Sequence, residues 1–238
     1  MDKLDRRAAL TLAATLGAAG GLIMPTLAMG QAKGGGDEEE VTANEDLMRE
    51  HGVLRRILVL YREVAPNIQR SPAGVDAKAI HTAATLFKAF GEQYHEQMLE
   101  EQFVFPAVRK AGGKAASLPD ILVAQHARGR EITDYIIDAT KSGRIGTANA
   151  EPLARTMVAF SRMYEVHAAR EDTVVFPAFK KSMPKAQFEE LGERFEAIER
   201  KQFGGDGFDM ALDKVMEAEA ALGLADLAKF TAPPPGSR

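Results

Sequence analysis

The feature that most constrains the fold of this chain is an internal repeat. The segment VFPAVRK at Val104–Lys110 returns 71 positions later as VFPAFKK at Val175–Lys181, and a tyrosine and a histidine precede each copy. A repeat of this length predicts that one helical hairpin occurs twice. Two such hairpins packed about a pseudo-two-fold axis form a four-helix bundle with an enclosed centre.

The pattern of apolar residues is helical from Asn44 onward. We expect a first helix capped by Asn44 and ended by Pro66, followed by helices over 76–105, 119–142, 151–176, 184–203 and 209–222. Sustained alternation of apolar and polar residues is missing, which disfavours strands. The predicted fold class is therefore all-α: an up-down four-helix bundle over residues 44–181, with two additional helices in a C-terminal extension over residues 182–238.

The first thirty residues resemble an export signal. Arg6 and Arg7 precede an Ala/Leu/Gly-rich run that ends in small residues at Ala28 and Gly30. This arrangement is typical of a twin-arginine signal peptide over residues 1–30 and predicts a periplasmic or secreted protein. The alternative is an N-terminal membrane anchor, because the run approaches the ~20 residues that a spanning helix needs. Residues 31–43 form a polar linker, and no stable membrane insertion is expected after signal removal.

Composition restricts the chemistry available to the chain. The formal net charge is −4, without the basic excess that binding to nucleic acid requires. The chain has no cysteine, which excludes thiolate zinc sites, iron–sulfur clusters, catalytic thiols and disulfides. Any metal must therefore be held by imidazole and carboxylate groups.

Histidines are the first candidates for metal ligands. Four of the five fall one per predicted bundle helix, and the repeat relates them in pairs that lie 75 and 72 positions apart: His51 with His126, and His95 with His167. His81 has no counterpart in the second copy, so we expect it to lie outside any site.

Two glutamates accompany these histidines in the repeat. Glu100 and Glu171 are 71 positions apart, and each lies six residues before a proline. His167 and Glu171 are four residues apart and share one helix face. Imidazoles as terminal ligands, with carboxylates that can bridge, are what a pair of metal ions needs, and a mixed N/O set with open positions suits reactive iron.

These residues together resemble a hemerythrin-like (HHE) domain. The matching stretches, which cover the bundle, are REHG at 49–52, YHEQMLEE at 94–101 with Phe105-Pro106, Gln125-His126, and HAARED at 167–172 with Phe176-Pro177. The resemblance implies two non-haem iron ions (Fe2+/Fe3+), joined by an oxo or hydroxo bridge and held by four histidines and two bridging carboxylates. Carried over by position, the implied ligands are His51, His95, Glu100, His126, His167 and Glu171.

The helix-two carboxylate departs from the usual spacing. Leu99, four residues after His95, cannot bind a metal. Glu100, five residues after His95, would lie about 140° around an ideal α-helix from it. A single π-bulge would return Glu100 to the face of His95. Glu96 and Glu101 are the alternatives, and alignment on the repeated proline favours Glu100.

Several neighbouring residues have two interpretations. Tyr94 and Tyr164 either hydrogen-bond a bound oxygen species or simply pack in the core. Arg170 and Glu131 either support ligating histidines or form a solvated ion pair. Adjacent Arg55 and Arg56 are interpreted as surface charge.

The implied function is binding of a small gas molecule. A di-iron site that takes up O2, or NO, suits storage or sensing of that gas, with no catalytic residue beyond the metal ligands and an unknown redox partner. One alternative is a di-iron oxidoreductase that acts on peroxide, NO or ferrous iron. Another is a bundle in which the metal is merely structural.

Overall fold

The computed structural model of the protein describes residues 41–236. The predicted signal peptide and nearly all of the predicted linker lie outside the described residues. The export prediction therefore stays a prediction.

Residues 41–236 fold into six continuous helices joined by short turns. They are α1 (Ala43–Arg70), α2 (Ala77–Leu86, continuing through Phe87–Val104 and Phe105–Ala111), α3 (Pro119–Thr140), α4 (Thr147–Arg170, continuing through Glu171–Val175 and Phe176–Lys181), α5 (Lys185–Phe203) and α6 (Gly207–Ala221). Short 3₁₀ turns occupy Pro72–Gly74, Lys114–Ser117 and Leu227–Phe230. This part of the chain contains no strand, and the all-α prediction is confirmed.

The first four helices form the predicted bundle. α1 packs along α4 and α2 packs along α3, while α5 and α6 lie against α1 and α2. Fully buried aromatic and branched side chains fill the space between the helices, among them Ile57, Phe87, Phe90 and Phe160. The two C-terminal helices thus cover one side of the bundle.

The start of α1 differs from the prediction. Thr42, rather than Asn44, caps the helix: its hydroxyl accepts from Glu45 N at 3.4 Å, and Glu45 Oε2 accepts from Thr42 N at 2.8 Å. Such a reciprocal capping box satisfies two backbone donors that would otherwise lack partners. Asn44 is instead buried and donates through Nδ2 to the Phe176 carbonyl at 2.7 Å, which ties α1 to the end of α4.

The predicted end of α1 at Pro66 is also wrong. The helix continues to Arg70 with Pro66 inside it. A proline in a helix interior removes one backbone hydrogen bond. Val64 and Ile68, on either side of it, are both buried, and we attribute the continuation of the helix to their packing.

In α2 and α4 the backbone changes from α-helical to π-helical hydrogen bonding, and the two π segments end at matching positions of the repeat. Backbone hydrogen bonds of the π type, from residue i to i+5, run over Phe87–Val104 and over Glu171–Val175. Residues five apart then lie nearly above one another. Glu100 therefore shares a face with His95, as the predicted π-bulge required, although the π winding is longer than a single bulge.

The docking of α6 overturns the interpretation of Arg56 as surface charge. The Arg56 guanidinium donates through Nε to Glu219 Oε1 at 2.8 Å and makes a second contact with the same carboxylate. This bidentate pair joins α1 to α6.

Between residues 41 and 236, no helix combines the length and the apolar character needed to cross a membrane.

The packing of α6 can be tested with Ala211, which is fully buried on that helix. We expect Ala211→Leu to lower the free energy of unfolding by about 1–3 kcal/mol, because a larger side chain overpacks a filled interface. Ala220→Leu, at an exposed position of the same helix, should change it by less than about 0.5 kcal/mol. Urea unfolding of both variants measures the difference, and equal effects would show that α6 is not packed as described.

Candidate metal centre

Four buried histidines, one from each bundle helix, meet at the centre of the bundle. They are arranged as two pairs, and none is more than 3% exposed. His51 Nε2 on α1 lies 3.0 Å from His95 Nε2 on α2. His126 Nε2 on α3 lies 3.1 Å from His167 Nε2 on α4.

Two glutamates connect the histidine pairs. Glu100 places Oε1 3.4 Å from His95 Nε2 and Oε2 3.4 Å from His126 Nε2. Glu171 places Oε1 3.0 Å from His167 Nε2 and Oε2 3.5 Å from His51 Nε2. Each carboxylate thus reaches one histidine of each pair. The structure brings all six residues singled out from the sequence into one cluster.

The outward-facing nitrogen of each imidazole has an acceptor of its own. The four Nδ1···O distances are 2.7 Å for His51 to Asp172, 2.6 Å for His95 to Glu50, 2.9 Å for His126 to Glu101 and 2.9 Å for His167 to Gln125. A carboxylate or amide oxygen accepts, so each Nδ1 carries the proton. The Nε2 lone pairs therefore point inward.

This donor set fits metal ions. Glu100 and Glu171 are fully buried, yet none of their four oxygens has a hydrogen-bond partner among the described residues. His126 and His167, whose pKa values burial lowers, also face each other through Nε2 atoms that have no proton to share. Imidazole binds metals at about 2.0–2.1 Å, which puts neighbouring ligands on one ion roughly 3 Å apart. The observed separations of 3.0–3.5 Å are of that size.

The protonation behaviour of the cluster agrees with a site for positive charge. Burial lowers the pKa of His51 to about 3 and that of His167 to about 4, so both imidazoles are neutral ligands at pH 7. Burial likewise raises the pKa of Glu171 to about 8. At His95 burial acts to lower the pKa, but Glu100 and Glu50 outweigh it and raise the pKa well above its ordinary value. In the metal-free protein this imidazole therefore holds a proton that a bound metal ion would replace. The centre thus attracts a cation.

Two arginines hold the carboxylates that orient the histidines. Arg55, interpreted from the sequence as surface charge, is 40% exposed, but it also pairs with Asp172, the partner of His51. Arg130 Nη1 donates to Glu101 Oε1 at 3.2 Å and to Glu96 Oε2 at 3.3 Å. The two arginines are 75 positions apart, the same offset that relates their histidines.

The predicted supporting role of Glu131 is not observed. Glu131 pairs with Arg128 on the exposed surface of α3, and Arg170 is exposed as well. The residues that fill this role are Glu50, Glu101, Gln125 and Asp172, which the sequence interpretation missed as partners. Each is adjacent in sequence to one of the six clustered residues, and the repeat that relates those six also relates these four.

The two tyrosines bond to carboxylates. Tyr94 Oη donates to Glu50 Oε1 at 3.0 Å, and Tyr164 Oη donates to Glu96 Oε1 at 2.7 Å. Tyr164 reaches Glu96 only because α3 has a glycine beneath it: a β-carbon at Gly129 would lie 1.9 Å from Tyr164 Oη. The Glu96 carboxylate therefore accepts hydrogen bonds from Tyr164 and Arg130, and it does not bridge the histidine pairs.

A small cavity adjoins the cluster. Its volume is about 20 Å³, enough for roughly one water-sized molecule. Leu54, Leu58, Phe87 and Ala168 form its apolar wall, and histidines and both bridging glutamates line the other side. The space beside the centre therefore accepts only a very small ligand.

His81 lies outside the cluster, as expected. Its Nδ1 is 3.2 Å from Thr140 Oγ1, and the side chain is half-buried between α2 and α3.

Uncharacterized proteins from mycobacteria are similar to this chain. One is from Mycobacterium bovis and two are from strains of Mycobacterium tuberculosis. Each is 45% identical over 195 residues, which are 82% of this chain and 75% of the relative. No solved structure gives a significant match.

The sequence profile of the Hemerythrin HHE cation binding domain matches residues 42–179. That range contains α1 to α3, nearly all of α4, and every residue of the His/Glu cluster. Domains of this family bind metal ions, usually iron, and small gas ligands such as O2. The chain belongs to the hemerythrin HHE cation-binding family.

Proposed function

We propose that this protein is an exported non-haem di-iron protein that binds O2 or NO at the centre of its bundle, for storage or sensing of the gas. One observation carries the proposal. Four inward-facing imidazole nitrogens and four carboxylate oxygens without hydrogen-bond partners converge in a buried space. Such a set needs cations to offset its charge and lone pairs.

The cluster divides into two halves, each suited to one ion. His51 and His95 form one half and His126 and His167 the other, while Glu100 and Glu171 supply one oxygen to each half. When bound, an iron pair would supply open coordination positions and electrons for reversible binding of a diatomic ligand.

Residues around the centre fix the orientation of the histidines and limit the size of the ligand that can bind beside them. The acceptors at the four Nδ1 atoms fix the orientation of each imidazole. Leu54, Leu58 and Phe87 give the cavity an apolar wall. Since the cavity has a volume of about 20 Å³, a diatomic gas fits it and larger substrates do not. This observation restricts the ligand to a molecule of a few atoms, such as O2, NO or peroxide.

The metal content provides the first test. We expect elemental analysis to find about two irons per chain, because the donors form two halves with two histidines and two carboxylate oxygens each. His126→Ala should lower this content sharply by removing one ligand of one half. His81→Ala, outside the cluster, should leave it unchanged. Zinc in place of iron would support a structural metal instead, and equal losses in the two variants would refute the ligand assignment.

Gas binding can be tested by filling the cavity. Ala168→Leu should weaken O2 or NO binding at least about 10-fold while iron content stays unchanged, because a leucine occupies the space beside the centre. Ala169→Leu, on the exposed side of the same helix turn, is the matched control. Visible spectra over repeated cycles of reduction and gas exposure measure binding. Loss of the signal over cycles, or consumption of peroxide, would favour the oxidoreductase.

The export proposal rests on Arg6 and Arg7. We expect Arg6→Lys combined with Arg7→Lys to retain the full-length chain in the cytoplasm of a bacterial host with a twin-arginine pathway. Lys3→Arg preserves the pair and should leave export unchanged. Cell fractionation distinguishes the two, and undiminished export of the double variant would contradict the proposal.

A further inference from the structure

The repeat imposes an approximate symmetry on the groups around the metal centre. Asp172 with Arg55 supports His51, and Glu101 with Arg130 supports His126 in the same way. Aromatic rings follow the symmetry too, since Phe176 stacks on His51 and Phe105 stacks on His126. Among the four acceptors at Nδ1, one pair of positions breaks the symmetry.

That pair is Glu50 and Gln125, which lie 75 positions apart like their neighbouring histidines. Glu50 is fully buried, and its Oε2 accepts from His95 Nδ1 at 2.6 Å. Gln125 is half-buried, and its Oε1 accepts from His167 Nδ1 at 2.9 Å. The acceptor behind His95 is thus a carboxylate, whereas the acceptor behind His167 is a neutral amide.

The acceptor at Nδ1 sets how strongly an imidazole binds a metal. A carboxylate draws the Nδ1 proton toward itself and raises the basicity of the ligating nitrogen. Hydrogen bonds with an ionised partner are also roughly twice as strong as those between neutral groups. His95 is therefore the stronger ligand, and the two halves of the centre are unequal.

Other charged groups do not restore the symmetry. Glu96 Oε2 lies 3.8 Å from His126 Nδ1, but Glu96 accepts from Tyr164 and Arg130 while His126 donates to Glu101. Each arginine holds the carboxylate behind one histidine of each half: Arg55 acts at Asp172 behind His51, and Arg130, which Glu96 shares, acts at Glu101 behind His126. The difference that remains lies at Glu50 and Gln125.

We propose that Glu50 and Gln125 set the order in which the two metal ions bind, with the first ion taken by the His51–His95 half and the second by the His126–His167 half. This inference rests on the proposed di-iron function. Glu50 and Gln125 are positioning residues, because each acts on the ion through the imidazole that it holds.

The test is a titration of the apoprotein with Fe2+ under anaerobic conditions against a competing chelator. In the wild type we expect two dissociation constants that differ by about 10- to 100-fold, the usual effect of such outer partners on metal affinity. Gln125→Glu should bring the two constants together by strengthening the second half. Glu131→Gln, on the same helix but in an exposed ion pair, should leave the ratio unchanged.

The exchange variant Glu50→Gln/Gln125→Glu identifies the half that fills first. It keeps the number of charges and the side-chain sizes, so it preserves the packing. With one equivalent of iron, anomalous diffraction should place the ion between His51 and His95 in the wild type and between His126 and His167 in the exchange variant.

The outcomes separate the inference from the function that it assumes. Two ions per chain that bind with equal affinity, or the same half filled first in both proteins, would overturn the ordering while leaving the di-iron proposal intact. Failure of the wild-type protein to bind two ions would overturn both. If the exchange variant does not fold, convergence of the two constants in Gln125→Glu decides the inference alone.

Discussion

The structure depends on one unfavourable interaction, the crowding of buried metal-binding groups, which metal ions would relieve. Neighbouring nitrogen and oxygen atoms of four imidazoles and two carboxylates lie 3.0–3.5 Å apart in the buried centre of the bundle. Burying such groups costs free energy unless they are paired. The helices tolerate that cost because each imidazole donates a hydrogen bond from Nδ1 to an acceptor on its outer side, and three of the four acceptors are carboxylates. The four Nδ1 acceptors and the central His/Glu cluster therefore depend on each other electrostatically. Metal binding stabilises the fold that creates the site.

The winding of two helices places the bridging carboxylates. In an ordinary α-helix Glu100 would point away from His95, and the π hydrogen bonds over Phe87–Val104 turn it back toward the centre. The second copy changes from α to π hydrogen bonding over Glu171–Val175, a segment that begins at the bridging glutamate itself. In both copies the π segment ends where the repeated Phe-Pro begins, so the sequence repeat and the change in winding coincide. The same repeated segment thus underlies both the pseudo-two-fold symmetry of the bundle and the π-helical hydrogen bonding of its two helices.

Much of the fold and the cluster could be predicted from the sequence, because both follow from the repeat. The helices and their order follow from periodicity and spacing, and the six clustered residues follow from the repeat together with the resemblance to hemerythrin-like domains. The outer partners were missed for a physical reason: Glu50, Glu101 and Asp172 are charged residues on amphipathic helices, where surface exposure is the usual state. Whether such a side chain turns inward depends on how a neighbouring helix is rotated, which spacing alone does not reveal. The misplaced end of α1 has the same origin, since tertiary packing overrode the local preference of Pro66.

The most direct test is the location of iron in the fully loaded protein by anomalous diffraction. The account predicts two peaks per chain, roughly 3.5–4 Å apart as in other two-metal sites, with Glu100 and Glu171 each contacting both ions. His51 and His95 should contact one ion, and His126 and His167 the other. A single peak, or iron bound elsewhere while these six side chains stay metal-free, would contradict the account.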